Sequence, residues 1–240
     1  MRYQALNGMK ALILILTAMY VANLLVGGTL FEVIAPRLIG MSGLAVILFI
    51  LVAGAYELGT SKDVQKQANS DAGGQEIAGI LLVALPLVVG IAVPTQPLGA
   101  IEAARRGVVT RYSGGNLARL GNSDPADRTV LDWAQAIAAN SEPQDVYGQK
   151  ANVSGFVYHD PRAAANQFML TRFAMACCVT DAFAVGVVVQ AYDASQLKSD
   201  NWVLVQGTFR EGQFADDSLP ILVASEILPI QQPEQVYLYP

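Results

Sequence analysis

The chain is short of the side chains that most active sites are built from. Its 240 residues contain one histidine and two cysteines. They contain no C-x-x-C pair, nucleophile elbow, P-loop or dinucleotide-binding glycine pattern, so a standard hydrolase or nucleotide site has little to assemble from. The expected class is therefore not an enzyme. Charge is also scarce, at 15% of residues against about a quarter in an ordinary soluble domain. Residues 120–240 hold six Lys or Arg against fourteen Asp or Glu. A polyanion gains affinity by releasing counterions into a basic groove, and this surface repels it, so no nucleic-acid partner is expected.

What the chain does have is apolar surface, 53% of its residues, unevenly placed. Residues 1–100 balance five basic with five acidic side chains, and residues 101–240 carry ten against fifteen, so the net charge of −5 belongs to the second part. The first part holds three apolar runs, Met9 to Gly28, Leu38 to Tyr56 and Ile77 to Val93. Each is long enough to cross a hydrocarbon core of ~30 Å at ~1.5 Å per residue. Three transmembrane helices are expected over 9–28, 38–56 and 77–93, although Pro86 leaves a re-entrant third helix as an alternative. The first run is longer than a signal-peptide core and has no A-x-A site after it, so it reads as a retained anchor. Thr60 to Glu76 reads as a solvated loop.

The arginines after the third run favour a cytoplasmic C-terminal part, while the usual dominance of the first helix favours the opposite side.

The second part divides at 147. Residues 101–147 read as a linker carrying one amphipathic helix at about 124–140: Asn122-Ser123-Asp124-Pro125 supplies capping residues, and Val130, Trp133, Ala134 and Ile137 recur at helical spacing. This helix is expected to pack on the domain that follows or to lie on a membrane surface. Residues 148–240 read as an all-β domain with strands at Gln149–His159, Gln167–Cys178, Ala184–Gln190, Trp202–Phe209 and Ile221–Ile230. Three strands, a short turn of helix at Ala194–Ser199 and two strands form the order of an OB-like five-stranded barrel, with an open α+β sheet as the alternative.

Candidate site residues cluster around the only two cysteines. Cys177 and Cys178 are adjacent, with Asp181 three residues on and His159 at the end of the preceding strand, a set that would satisfy a tetrahedral divalent metal such as zinc. Phe173, Met175 and Val179 around the cysteines favour plain core packing instead. Thiol redox chemistry or a vicinal disulfide is the third alternative. Arg172 is a further candidate, with a salt bridge to an acidic neighbour as its ordinary explanation.

Several blocks together carry a resemblance. Phe168-Met169-Leu170-Thr171-Arg172-Phe173, Cys177-Cys178-Val179-Thr180-Asp181-Ala182 and Trp202-Val203-Leu204-Val205-Gln206-Gly207 resemble the YcgQ-like bacterial membrane proteins, described as the smaller subunit of a two-component permease. Ala35-Pro36-Arg37, Pro86 to Gly90, Pro94, Arg106-Gly107 and Pro233 to Tyr239 are similar to further elements of that family. The resemblance implies an accessory subunit in a bacterial cell membrane, in contact with lipid and with a polytopic permease subunit, whose β domain docks the partner or captures substrate. Some members carry a His-rich loop between the second and third spans, which implies metal handling. Here that loop has no His or Cys, and Ala35 stands where the family has His, so only Cys177, Cys178 and Asp181 support a metal. If the loop is cytoplasmic, the β domain faces the non-cytoplasmic side. A structural alternative is a membrane-tethered assembly protein whose β domain binds another protein.

Overall fold

The computed structural model describes residues 2–58, 73–93, 96–114, 124–139 and 145–240. The expectations for most of the loop after Tyr56, for Pro94-Thr95, Gly115, Asn122-Ser123 and Asn140 fall outside these residues. The chain forms two compact units, Met1–Gln96 and Pro97–Pro240.

The first unit contains helices α1 (Arg2–Val26), α2 (Ile39–Leu58) and α3 (Gly73–Ala92). Helix α1 packs against both of the others. Where the helices bury surface the residues are small, Ala11, Thr17, Ala18 and Ala53, while Leu12, Met19, Met41, Leu51, Leu82 and Ile91 point outward. An inside-out pattern of this kind suits helices that meet through small residues and face hydrocarbon. Asn7–Val26 and Pro36–Tyr56 are each long and apolar enough to cross a membrane, and neither is a buried core helix. The third expected span is a helix as anticipated. Its apolar part, Ala78–Ala92, rises roughly 22 Å at 1.5 Å per residue, short of a ~30 Å core. Its beginning also overtakes the expected loop, since the helix starts at Gly73.

The end of α3 is tied to α1 by one bond. The Tyr20 hydroxyl donates to the Gly90 carbonyl at 2.6 Å. In an uninterrupted helix that carbonyl would accept from the residue four positions on, which is Pro94 and has no N–H. Glycine gives this approach its room, because a Cβ at position 90 would lie 2.9 Å from the Tyr20 ring and the ring would have to shift.

The second unit is built on a six-stranded mixed sheet: β1 (Val108–Val109), β2 (Lys150–Tyr158), β3 (Gln167–Ala174), β4 (Phe183–Gln190), β5 (Trp202–Phe214) and β6 (Asp217–Pro229). The spatial order is β1-β4-β3-β2-β5-β6, and β6 also pairs with β4, parallel, through Val189↔Leu222 and Gln190↔Val223. Strand pairing therefore returns on itself through β2, β3, β4, β6 and β5. Between β4 and β5 the expected helical turn is a short 3-10 segment, Ala194–Gln196.

Strands β3 and β4 are buried on both faces, which is why their sequences are apolar without alternation. Phe168, Leu170, Val185, Val187 and Val189 join one core with Val153, Phe209 and Trp133. Met169, Phe173, Ala184 and Val188 join a second core, covered by Ala100 and Ala103 of helix α4 (Ala100–Arg106) and by Val236 and Tyr237.

Helix α5 (Val130–Ala139) is shorter than expected and less amphipathic in its setting, since every residue from Val130 to Ile137 is buried. It fills the first core, so a membrane-surface role is corrected: the helix has almost no free face. The polar residues at its start account for this. Asp124 accepts from the Ala126 amide and caps a separate 3-10 turn, Pro125–Asp127. The true start of α5 is closed by Thr129 and Asp132, each bonding the other's backbone N–H or hydroxyl at 2.7 to 3.3 Å. Gln135 on the same helix donates to the Gly114 carbonyl at 2.8 Å, satisfying a buried amide.

Candidate functional site

Strand β3 ends at Ala174, four residues earlier than expected, and the chain turns before it reaches the cysteines. Met175 is the last fully buried residue, Cys177 is exposed and Cys178 is half-buried. Neither cysteine is in a disulfide. Core packing is thus corrected: the apolar residues around the pair are core, and the pair itself stands outside it.

The turn is shaped by Asp181. Its carboxylate accepts from the Cys177 amide at 2.8 Å and the Cys178 amide at 3.1 Å, while its own N–H donates to the Cys178 carbonyl at 3.0 Å. An aspartate that binds backbone a few residues back is a local alternative to a strand ladder, and here it ends one. Arg106, on the last turn of α4, reaches the same loop and donates to the Val179 carbonyl at 3.0 Å and the Ala182 carbonyl at 2.6 Å. The Thr180 N–H, then its hydroxyl, hold the Cys178 thiol below its ordinary value, and a hydrogen bond from the Cys177 thiol adds to this. A partly exposed thiol held low is the reactive kind.

His159 is not brought to this loop. It follows β2, whose last residues pair antiparallel with the start of β3 (Tyr158↔Met169), whereas the cysteines follow the end of β3. The distance along β3 from Met169 to Ala174 alone is about 17 Å at ~3.3 Å per residue. The His159 Nε2 instead lies 2.7 Å from the Leu197 carbonyl. Among the described residues no three His, Cys, Asp or Glu side chains converge. The set Cys177, Cys178, Asp181 and His159 therefore does not fit a tetrahedral zinc ion as the side chains stand.

Arg172 has no carboxylate partner among the described residues. It is only 7% exposed, and its guanidinium donates to the Gln235 carbonyl and to the Val236 carbonyl at 2.9 and 3.3 Å. It also lies 5.5 Å from the centre of the Trp202 ring. Burial pushes its pKa down to about 10, which leaves it charged at neutral pH. The expected salt bridge is replaced by a fastening of the segment 235–238 across β3, completed by Leu238 N–H to Phe173 O at 2.9 Å and Met175 N–H to Leu238 O at 3.0 Å.

Two open clefts lie elsewhere on this unit. One, of about 550 Å³, is lined by Asn166, Gln190, Tyr192 and Ser195 beside the β4–β6 junction. The other, of about 440 Å³, is lined by Asp193, Leu197, Trp202 and Ile230. Neither is legible in the sequence, because their walls combine strand residues and loops that lie apart in the chain. Sequence reasoning also missed the part Arg106 plays in the cysteine loop, although Arg106-Gly107 stood among the blocks of the resemblance.

Apolar helices that bury little of themselves, joined in one chain to an acidic mixed-sheet unit, define a membrane-associated protein with a folded extramembrane part. Residues 9–109 match the DUF1980 N-terminal domain and residues 126–240 the DUF1980 C-terminal domain, and the chain belongs to that family. It is 24% identical over 99 residues to the UPF0703 protein YcgQ of Bacillus subtilis, covering 40% of this chain and 35% of that protein. It is 26% identical over 99 residues, again 40% of this chain and 36% of the relative, to a Streptococcus mutans protein named as a two-component membrane permease complex subunit. These matches span about a third of the length of the curated relatives. They agree with the YcgQ-like resemblance of the motifs.

Proposed function

We propose that this chain is the membrane-anchored accessory subunit of a two-component permease, with a polytopic subunit as its partner and no catalytic activity of its own. The observation that carries this is the outward apolar surface of α1 and α2, in a chain whose relative is named for such a complex. Helix α3 serves as the third span, its short apolar part compensated by local thinning of the bilayer or by packing on the partner. The β unit is an OB-like barrel, a reading supported by the closed run of pairings and by the short helix between β4 and β5. It docks the partner from the non-cytoplasmic side. Its acidic surface leaves nucleic acid out of account.

Gentle solubilisation from the native membrane, followed by identification of what co-purifies, tests the assignment. A polytopic transporter subunit in stoichiometric amount is the expected result. A monomer with no transporter beside it would overturn it.

A further inference from the structure

We propose that the open side of β6 is a docking groove for an extended, Lys- or Arg-bearing segment of a partner protein, which joins the sheet there as an added strand. Strands β4 and β6 pair through Val189↔Leu222 and Gln190↔Val223 only. Beyond Val223 the chain after β4 turns off into the 3-10 segment, while β6 runs on to Pro229 with β5 as its single strand neighbour among the described residues. The Ile230 N–H donates to the Trp202 carbonyl. Bonds of an antiparallel pair fall on every second residue, so Ile227 and Pro229 direct their backbone groups away from β5. The Ile227 N–H and C=O and the Pro229 C=O therefore stand ready for one more strand. Both open clefts lie along this edge. The one of about 550 Å³ meets β6 at Val223 and Ala224, the one of about 440 Å³ meets it at Ile227 and Pro229, and the segment 190–203 walls both.

Charge selects the occupant. Residues 190–203 and 223–230 carry Asp193, Asp200 and Glu226 against Lys198 alone. Asp200 gives one oxygen to the Ala100 amide, whereas Asp193, at the head of the 3-10 segment, makes no capping bond. Tyr192 beside it is fully exposed, an aromatic of the kind enriched in protein contacts. A second copy of this chain, docked by the same edge, would set these acids against their own equivalents, and like charges so placed repel. A basic extended segment meets them instead, with its backbone on β6 and its cations on Asp193 and Glu226. Docking of the partner through the β unit, proposed above, is the reading on which this groove rests.

The test is made on the full chain in its native membrane. A benzophenone amino acid replaces Tyr192, or Asp216 at the far end of the β5–β6 hairpin as control, and the products of irradiation are mapped by mass spectrometry of the crosslinked peptides. A Lys- or Arg-bearing segment of a polytopic permease subunit is expected at position 192 and not at 216. The D193K/E226K variant reverses exposed charges and is expected to cut that yield at least roughly tenfold, with its thermal unfolding midpoint in place. In the isolated complex the Ile227 amide is expected to exchange its hydrogen more slowly than in the chain alone. No product at position 192, a product with lipid or with a second copy of this chain, a yield unmoved by the charge reversal, or an Ile227 amide left unprotected would each overturn the groove, even where a permease subunit co-purifies. A basic segment of a protein that is no transporter, crosslinked at 192 with the same charge dependence, would uphold the groove and overturn the permease assignment.

Discussion

At the scale of single residues, the buried guanidinium of Arg172 does the most structural work for its size. Replacing it by Met keeps the apolar stem and strands the carbonyls of Gln235 and Val236, which costs about 1–3 kcal/mol. Chemical denaturation measures the loss, and faster hydrogen exchange at the Leu238 amide places it. Asp160 supplies a pH signature. Hydrogen bonds from the Arg162 side chain hold its carboxyl below the usual carboxylate range, against a smaller opposing effect of burial. A carboxyl depressed in the folded state stabilises fully above its unfolded value of about 4 and loses that contribution as pH falls through the folded value. Asp160→Asn is therefore expected to flatten the acid limb of a stability-against-pH curve while leaving the curve above pH ~5 parallel to the parent. The sequence made Arg172, Cys177, Cys178 and Asp181 visible as a group. It could not show that Arg172 meets carbonyls, because backbone acceptors carry no residue signature. The distance of His159 from the cysteines was open to inference: in an antiparallel pair, the end of one strand lies beside the start of the next.

At the scale of elements, apolar runs and breaks located the five long strands and all three long helices, and the errors fall at their ends. The expected strand runs on through Cys178 because Met175 continues its apolar run, and the Asp181 carboxylate ends β3 earlier by bonds invisible to hydropathy. Strand β1 is two residues long and takes its place from β4, so no local period announces it. The start of α5 was assigned to Asp124, which caps its own turn. Thr129→Ala is expected to destabilise the second unit by about 1–2 kcal/mol, since it removes the cap of a helix buried over most of its length, and thermal unfolding is the measurement. A stronger test of packing lies at Gly207. The irregularity between Gln206 and Gly207 brings its Cα against β6, and a Cβ there would stand 2.3 Å from the Val223 carbonyl oxygen. Gly207→Ala must push two backbones apart and is expected to cost roughly 2 kcal/mol or more, read as a drop in denaturation midpoint.

At the scale of the whole molecule, the division into an oily part and an acidic part was legible from charge placement alone, but the border was not. Ala100 reads as the end of the oily part and residues 101–109 as linker, yet Ala100, Ala103 and Val108 belong to the second core. A fragment of residues 97–240 is accordingly expected to fold as a water-soluble unit, and one of residues 126–240 to unfold at a markedly lower temperature. Far-ultraviolet circular dichroism of the two on heating decides this. The bond from the Leu98 amide to the Tyr237 hydroxyl, 3.0 Å long, fastens two points 139 residues apart in sequence. Long-range contacts of this kind make folding slow, because the intervening chain must be ordered before they can form. During synthesis the helices leave the ribosome first, while the β unit cannot close its second core until Tyr237 has emerged. Maturation of this protein is thus split in time, with the apolar anchor ready for its bilayer well before the acidic unit can complete itself.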